Sequence, residues 1–435
     1  MKKSIKLIAA VLSMVLMLGL LAACGNPGGE VSETPSASQP SQSQPVQEST
    51  PPSETPSPEP SKEPEPTPSA EPSPEPEPEP VVIVESDVAN YLWEIPEDAT
   101  DEEIMNLTVR NYKIIQSFQP LFTEDSYKAY SNVYSMKYKR NKDVASAKET
   151  LAAQSSLQQI LTVEDGVIFL WGDGVGPMVD GESYTEEELD AAQQDAYGFK
   201  PFLIKYLLDD PSTAKGNIIM ISGGGMYLRS NPAEGYPAAE IFREMGYNCF
   251  LLQRRVEPYV PTDIYMDMQR AIRVVRYYAA QEGWGGQDMI AACGFSGGGA
   301  TILGAVRNCY GDMLPTVYDT DYVSDEIDAL NSDLDAALII YGSYNADGVG
   351  TYVGDNPNLP AFYICHGTAD DTIPSTNAQE LYDLVSGTVP AQLYLVEGAK
   401  HGFGPGHTST AAEGCKVWPG QADEFMQANK GHSAK

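Results

Sequence analysis

The sequence predicts an α/β protein: a mainly parallel, eight-stranded sheet with helices on both faces, preceded by a mostly helical extension. Three observations lead there. From about residue 160 onward, short β-rich runs alternate with helical stretches and glycine turns. Several of the runs are apolar throughout instead of alternating, as strands covered on both faces must be. The helical stretches between them close on glycines such as Gly246 and Gly283, which tolerate the backbone needed at a helix end.

Taken in chain order, the first element is not part of the fold. Lys2, Lys3 and Lys6 precede an apolar run from Leu7 to Ala23 and then Cys24, the pattern of a secretory signal over residues 1–24. Its ending, "LAAC" (Leu21 to Cys24), resembles the lipobox of bacterial lipoproteins. That resemblance implies that Cys24 is lipidated and that the chain is held on the outer face of the bacterial cytoplasmic membrane. Residues 25–80 follow as a linker, rich in Pro, Glu and Ser and holding 17 of the 33 prolines. Too little apolar surface is present there to offset the entropy of ordering, so the linker is expected to be disordered. At about 3.1 Å per residue in extended polyproline conformation, it could hold a domain up to ~170 Å from its anchor.

Residues 81–160 read as the helical extension, with stretches at 101–118, 124–138 and 143–161 and little β character. It is expected to pack against the α/β domain, and an independent small domain is the alternative. The domain itself spans 161–430. Its candidate strands are 166–171, 202–208, 217–222, 248–253, 288–295, 336–342, 361–367 and 391–398, with helices at 233–245 and 263–282 between them. On the second helix, Asp267, Arg270 and Arg273 fall at helical spacing and are expected to form surface or helix–sheet ion pairs. An acidic, polar insertion occupies 310–335.

The net charge of −34 argues against nucleic acid or an anionic lipid surface as partner and suits a neutral substrate. Apart from Cys24 there are five cysteines (Cys249, Cys293, Cys309, Cys365, Cys415), odd in number and without C-x-x-C spacing. Three lie in apolar runs, so buried thiols are expected, with no zinc site. No cofactor or metal is called for.

The chemistry-bearing motifs lie at strand ends. "GFSGG" (294–298) fits G-x-S-x-G after a strand and before a helix, the setting of a nucleophile at the tip of a strained turn. A phosphate loop would need Gly-Lys-Ser/Thr, and a dinucleotide loop G-x-G-x-x-G; neither is present. A serine nucleophile needs a base, and of four histidines His401, in "GAKHGFG" just past the eighth strand, is best placed. His366 is expected to make local turn hydrogen bonds, His407 is the fallback base, and His432 lies in the tail. The orienting acid is Asp370 in "HGTADDTIP" (366–374), with Asp371 and Asp347 as alternatives. After the third strand, "ISGGGMY" (221–227) offers the amides of Gly224 and Gly225 for an oxyanion, joined by the amide of Gly297. Tyr227 and Arg254 are candidate substrate-pocket residues, and Trp171 is a core residue or a lining one.

Together "SGGGMY", "EGYPAAEIFREMGYNCFLLQRRVEPY", "RAIRVVRYYAA", "GFSGGG", "HGTADDTIP" and "HGFG" resemble the α/β-hydrolase superfamily, and more narrowly its secreted acetyl-xylan and related carbohydrate esterases. The resemblance covers roughly residues 163 to 425. It implies an α/β-hydrolase fold, Ser296 as nucleophile, His401 as base, Asp370 as acid and the Gly224–Gly225 loop as oxyanion donor. It implies a serine esterase releasing short acyl groups, acetyl above all, from a small-molecule or oligosaccharide ester. Two departures stand out: Ser222 replaces a frequent proline, and Met226 intervenes before Tyr227. The insertion 310–335 falls where such enzymes often carry a lid. A peptidase of the same fold and a non-catalytic glycan-binding surface protein are the rival readings.

Overall fold

The fold is seen in a computed structural model that describes residues 98–118, 122–134, 143–158, 167–172, 174–180, 199–257, 259–343, 356–407 and 413–434. The expectations for Cys24, for the linker 25–80 and for Asp347 lie outside the described residues. Three helices come first: α1 (Asp101–Phe118), α2 (Glu124–Tyr134) and α3 (Val144–Gln158). Asp101, Glu102 and Glu103 occupy the first turn of α1, where negative charge meets the positive end of the helix dipole. The rest alternates: β1 (Val167–Phe169), β2 (Phe202–Tyr206), β3 (Asn217–Ile221), α4 (Gly235–Glu244), β4 (Asn248–Gln253), α5 (Pro261–Gln281), β5 (Ile290–Phe295), α6 (Gly297–Asn308), β6 (Ala336–Ile340), β7 (Ala361–Gly367), α7 (Thr376–Val385), β8 (Ala391–Val396) and α8 (Trp418–Ala428).

All eight strands join one sheet in the order β1-β2-β4-β3-β5-β6-β7-β8. β2 runs antiparallel to β1 and β4, and every pair from β4 to β8 is parallel. This order, with its reversed second strand, is the α/β-hydrolase fold. Because side chains alternate across a strand, each strand feeds two apolar layers. Ile218, Met220, Cys293 and Phe295 face α4 and α8, meeting Phe242 and Trp418. Ile219, Ile221, Ile290 and Ala292 face the other way, toward Ile272 of α5, Ile302 of α6 and Leu381 of α7. Strands β3, β4, β5, β6 and β7 are buried along their whole length, which is why their sequences are apolar without alternation.

The helical extension shares the first of these layers. Ile115, Phe122, Tyr130 and Leu157 are buried in the same cluster as β3 and α8. At about 1.5–3 kcal/mol for each such side chain removed from water, these contacts hold the extension on the domain. A second cluster, Ile104, Leu107, Ala147 and Leu151, seals α1 against α3.

Asp267, Arg270 and Arg273 form ion pairs as expected, Asp267 of the helix–sheet kind, and none of the three is at the surface. The guanidinium of Arg255, at the end of β4, pairs with Asp267 at 2.8 Å and donates to the carbonyls of Pro177 and Asp263. Trp171 donates to the same carboxylate at 3.0 Å and so belongs to this buried network. Arg270 pairs with Asp325 and, at 2.9 Å, with Asp328. Arg273 reaches Asp328 at 3.5 Å and donates to the carbonyls of Leu330 and Met313. For Arg270 and Arg273 the cause is the insertion 310–335, which lies along the outer side of α5 and covers charges that a bare helix would show to water. Its hydrogen bonds run to α5, to residues 178–180, as from Met178 to Asp319 and from Thr320 to Asp180, to Asn308 at the end of α6 and, through Asp335, to the first residues of β5 and β7. It is a strap on the flank of the sheet, not a lid over the strand ends.

The five described cysteines are all buried, and no disulfide links them. Burial pushes the thiols of Cys293 and Cys309 well above the ordinary range.

Candidate active site

Ser296 sits between the last residue of β5 and the first of α6, with φ 50° and ψ −118°. A non-glycine residue in that region costs on the order of 1–3 kcal/mol and persists only where its surroundings dictate it. Here they do. The Ser296 amide donates to the carbonyl of Ile340 on β6 at 2.9 Å. The backbone on either side passes so close that no Cβ fits: one at Gly298 would lie 2.1 Å from the Ile221 carbonyl oxygen, and one at Gly297 2.3 Å from that of Gly225. Glycine is required there by contact, not by flexibility.

His401 reaches the serine from the loop after β8. Its Nε2 lies 2.9 Å from Ser296 Oγ, and its Nδ1 lies 2.7 Å from Asp370 Oδ2. The Asp370 side chain is fully buried, while that of His401 keeps 18% exposure. The other carboxylate oxygen of Asp370 accepts the amides of Thr372 and Ile373, both at 2.9 Å. His366 Nε2 bonds the Ile373 carbonyl, as a local turn requires, and also lies 3.1 Å from Asp370 Oδ2. Burial alone would raise the Asp370 carboxyl; the hydrogen bonds from His366, His401 and the Ile373 amide outweigh it and hold the group well below the usual carboxylate range. Asp371 points outward beside Lys400 at 3.9 Å, His407 is exposed, and His432 bonds the Leu359 carbonyl. None of these three contacts Ser296 or His401.

The glycine loop after β3 faces the serine turn. Gly224 and Gly225 adopt φ 107° and 61°, backbone that only glycine enters readily. Among the described residues, the amides of Gly224, Gly225 and Gly297 donate to no protein acceptor, whereas the Gly223 amide is taken by Glu234 Oε2 at 2.6 Å. Ser222, where a proline is frequent, donates its hydroxyl to Asn231 at 2.6 Å, and Asn231 in turn donates to Gln253 at 2.9 Å. The loop is thereby tied to the end of β4.

Of the two pocket candidates, Tyr227 is 40% exposed beside Gly225. Arg254 requires a correction. It is 1% exposed, and its guanidinium donates to the carbonyls of Gly225 at 2.8 Å and of Arg255 at 3.1 Å. A buried side chain whose two terminal nitrogens are held by backbone carbonyls under the loop is a strut, not a pocket wall.

Two residues of the site were not foreseen. Glu234 and Tyr341 are buried behind the loop and the imidazole, joined at 2.9 Å. Glu234 stands at the start of α4, where an acid reads as an ordinary helix-end residue, yet it makes no capping bond. Among the described residues no group of three His, Cys, Asp or Glu side chains is arranged to hold a metal ion.

No protein-family model matches the chain. It is 24% identical over 232 residues to esterase LipC of Mycobacterium tuberculosis, a match covering 45% of this chain and 55% of that protein. The chain thus spans about half the length of the curated relative it matches. Among solved structures, it is similar to an acetyl ester-xyloside bifunctional hydrolase from Caldicellulosiruptor lactoaceticus (TM-score 0.47, 20% identity, 59% of this chain and 96% of that one). It is similar also to the propionate-bound esterase Est2 of Thermogutta terrifontis (TM-score 0.42, 24% identity, 58% and 93%).

Proposed function

We propose that the chain is a serine esterase that hydrolyses short acyl esters, acetyl esters above all, of neutral carbohydrates. The observation that carries the reading is the unbroken contact from Ser296 Oγ through both ring nitrogens of His401 to Asp370. The amides of Gly297, in the serine turn, and of Gly224 and Gly225, in the loop packed against it, donate to no protein acceptor among the described residues. The likeness to a protein named as an esterase agrees with it.

The chemistry follows from the geometry. Ser296 Oγ attacks the ester carbonyl carbon while His401 Nε2 takes its proton, and Asp370 holds the Nδ1–H and steadies the imidazolium. The carbonyl oxygen becomes an oxyanion that accepts hydrogen bonds from the glycine amides. The C–O bond to the alcohol breaks, the alcohol leaving with the proton from His401. Water, deprotonated by the same nitrogen, then attacks the acyl-serine and releases the carboxylic acid. The acidic surface and the likeness of the 223–225 loop to that of carbohydrate esterases favour a neutral sugar ester. We propose equally that Cys24 is lipidated and tethers the domain outside the cell; Cys24→Ser is expected to move the protein from the membrane to the soluble fraction.

The test is turnover of p-nitrophenyl acetate and of acetylated xylo-oligosaccharides by wild type and Ser296→Ala, with fluorophosphonate labelling mapped to Ser296. Loss of at least about 10³-fold and labelling at Ser296 are expected. Full turnover by Ser296→Ala sinks the reading. Absence of labelling favours a binding protein, and preference for aminoacyl amides favours a peptidase.

A further inference from the structure

Behind the imidazole, one side-chain pair reaches both halves of the site. Glu234 Oε2 accepts the amide of Gly223 at 2.6 Å, one residue before the two candidate oxyanion glycines. Its Oε1 accepts the hydroxyl of Tyr341 at 2.9 Å. That hydroxyl oxygen accepts the amide of Gly404 at 3.0 Å, three residues beyond His401. The Tyr341 ring meets the His401 ring edge-on at 5.0 Å and that of Phe403 at 4.5 Å. The Gly404 carbonyl is held in turn by the Trp418 indole at 3.0 Å. Tyr341 itself has φ 38°, a strained backbone for a residue with a large side chain, at the end of the strand next to the one bearing Ser296.

We propose that Glu234 and Tyr341 are positioning residues that fix the spacing between the oxyanion loop and the histidine loop, so that donors and base stay in register around Ser296. The inference rests on the esterase reading given above. The donor inventory explains why a carboxylate stands here. Two donors, the Gly223 N–H and the Tyr341 O–H, converge on it, and only a carboxylate offers an acceptor to each; a glutamine would turn an NH₂ against one of them. Burying an acid is costly, and burial indeed pushes the Glu234 carboxyl up, against the two hydrogen bonds and the charge of His401. Burial and Glu234 likewise keep the Tyr341 hydroxyl protonated and donating. A fold brace alone would be served by an apolar pair at lower cost.

The experiment compares wild type, Glu234→Gln, Tyr341→Phe and the double variant of the full chain. It measures kcat and KM on p-nitrophenyl acetate and hydrogen exchange at the amides of 223–225 and 402–404. Each single variant is expected to lower kcat about 10- to 100-fold, the cost of misplacing reacting groups by up to an ångström, with KM within about twofold. The double variant is expected to be no worse than the worse single, because both act through one unit. Exchange is expected to quicken in both loops in either variant. The proposal is overturned if kcat holds while only thermal stability falls, if the two losses multiply, or if exchange quickens solely in the loop next to the substitution. Should wild type show no ester turnover, the esterase reading fails, and the exchange comparison still decides the coupling.

Discussion

Gly297→Ala tests the closeness of the two loops. A Cβ at Gly297 would lie 2.3 Å from the Gly225 carbonyl oxygen, where real Cβ contacts essentially never fall below 3.0 Å. The loops must therefore part by at least about 0.7 Å. The Gly225 carbonyl cannot swing aside, because Arg254 holds it from behind at 2.8 Å. An oxyanion hydrogen bond of about 2.9 Å would stretch to about 3.6 Å, beyond useful length. Losing one donor of this kind typically costs about 10²–10³ in kcat. KM should stay within about threefold, since the oxyanion exists only beyond the ground state. The assay is steady-state hydrolysis of p-nitrophenyl acetate, with circular dichroism to show a folded variant. Gly420→Ala, in α8, is the control: nothing lies within 4 Å of its Cβ, and near-wild-type turnover is expected. Gly297→Ala turning over within about threefold of wild type would refute the argument that the loop spacing is set by contact.

Asp370→Asn is expected to lower kcat about 10⁴-fold by favouring the wrong imidazole tautomer, whereas Asp371→Asn, an exposed neighbour, should leave the rate unchanged in the same assay. Asp370 also makes stability pH-dependent. Its folded carboxyl lies below its unfolded value, so its contribution is present above about pH 4 and is lost as pH falls through the folded value. Urea unfolding should show wild type more stable than Asp370→Asn at pH 6 and that gap narrowed at pH 3; a gap that widens contradicts the sign. Arg270→Met leaves the buried Asp328 short of a partner and should cost about 3–5 kcal/mol in urea unfolding. Turnover per folded molecule should hold, because the strap bonds α5 and not Ser296.

The sheet was legible because burial on both faces leaves a strand no polar positions, as in "AALII" and "NIIMI". Ser296, Asp370 and His401, which the structure brings together, stood out because each follows a strand on a loop whose glycines mark a required backbone. What escaped the sequence depends on partners far along the chain. Glu234 meets Tyr341 across 107 positions, and neither residue has local company that separates it from a helix-end acid or a strand-end aromatic. Arg254 was misread for the same reason: at a strand end, the sequence does not say whether a long side chain turns into the pocket or under the loop. Arg270 and Arg273 stayed open between surface and helix–sheet ion pairs because nothing local shows that residues 310–335 fold back over them.

The buried thiols make the protein its own reporter. Cys249, Cys293 and Cys365 lie on β4, β5 and β7, Cys309 follows α6, and Cys415 precedes α8. None needs an oxidising medium to be part of the fold, and none is reachable by an alkylating reagent while its strand or helix stays closed. Burial that holds a thiol protonated makes it doubly slow to react. Five modification rates, read peptide by peptide, would therefore give the opening free energy of the sheet at separate points without any label being introduced. The centre of that map is Cys293, three residues from Ser296, so that the stiffness of the turn itself can be read from its neighbour's silence.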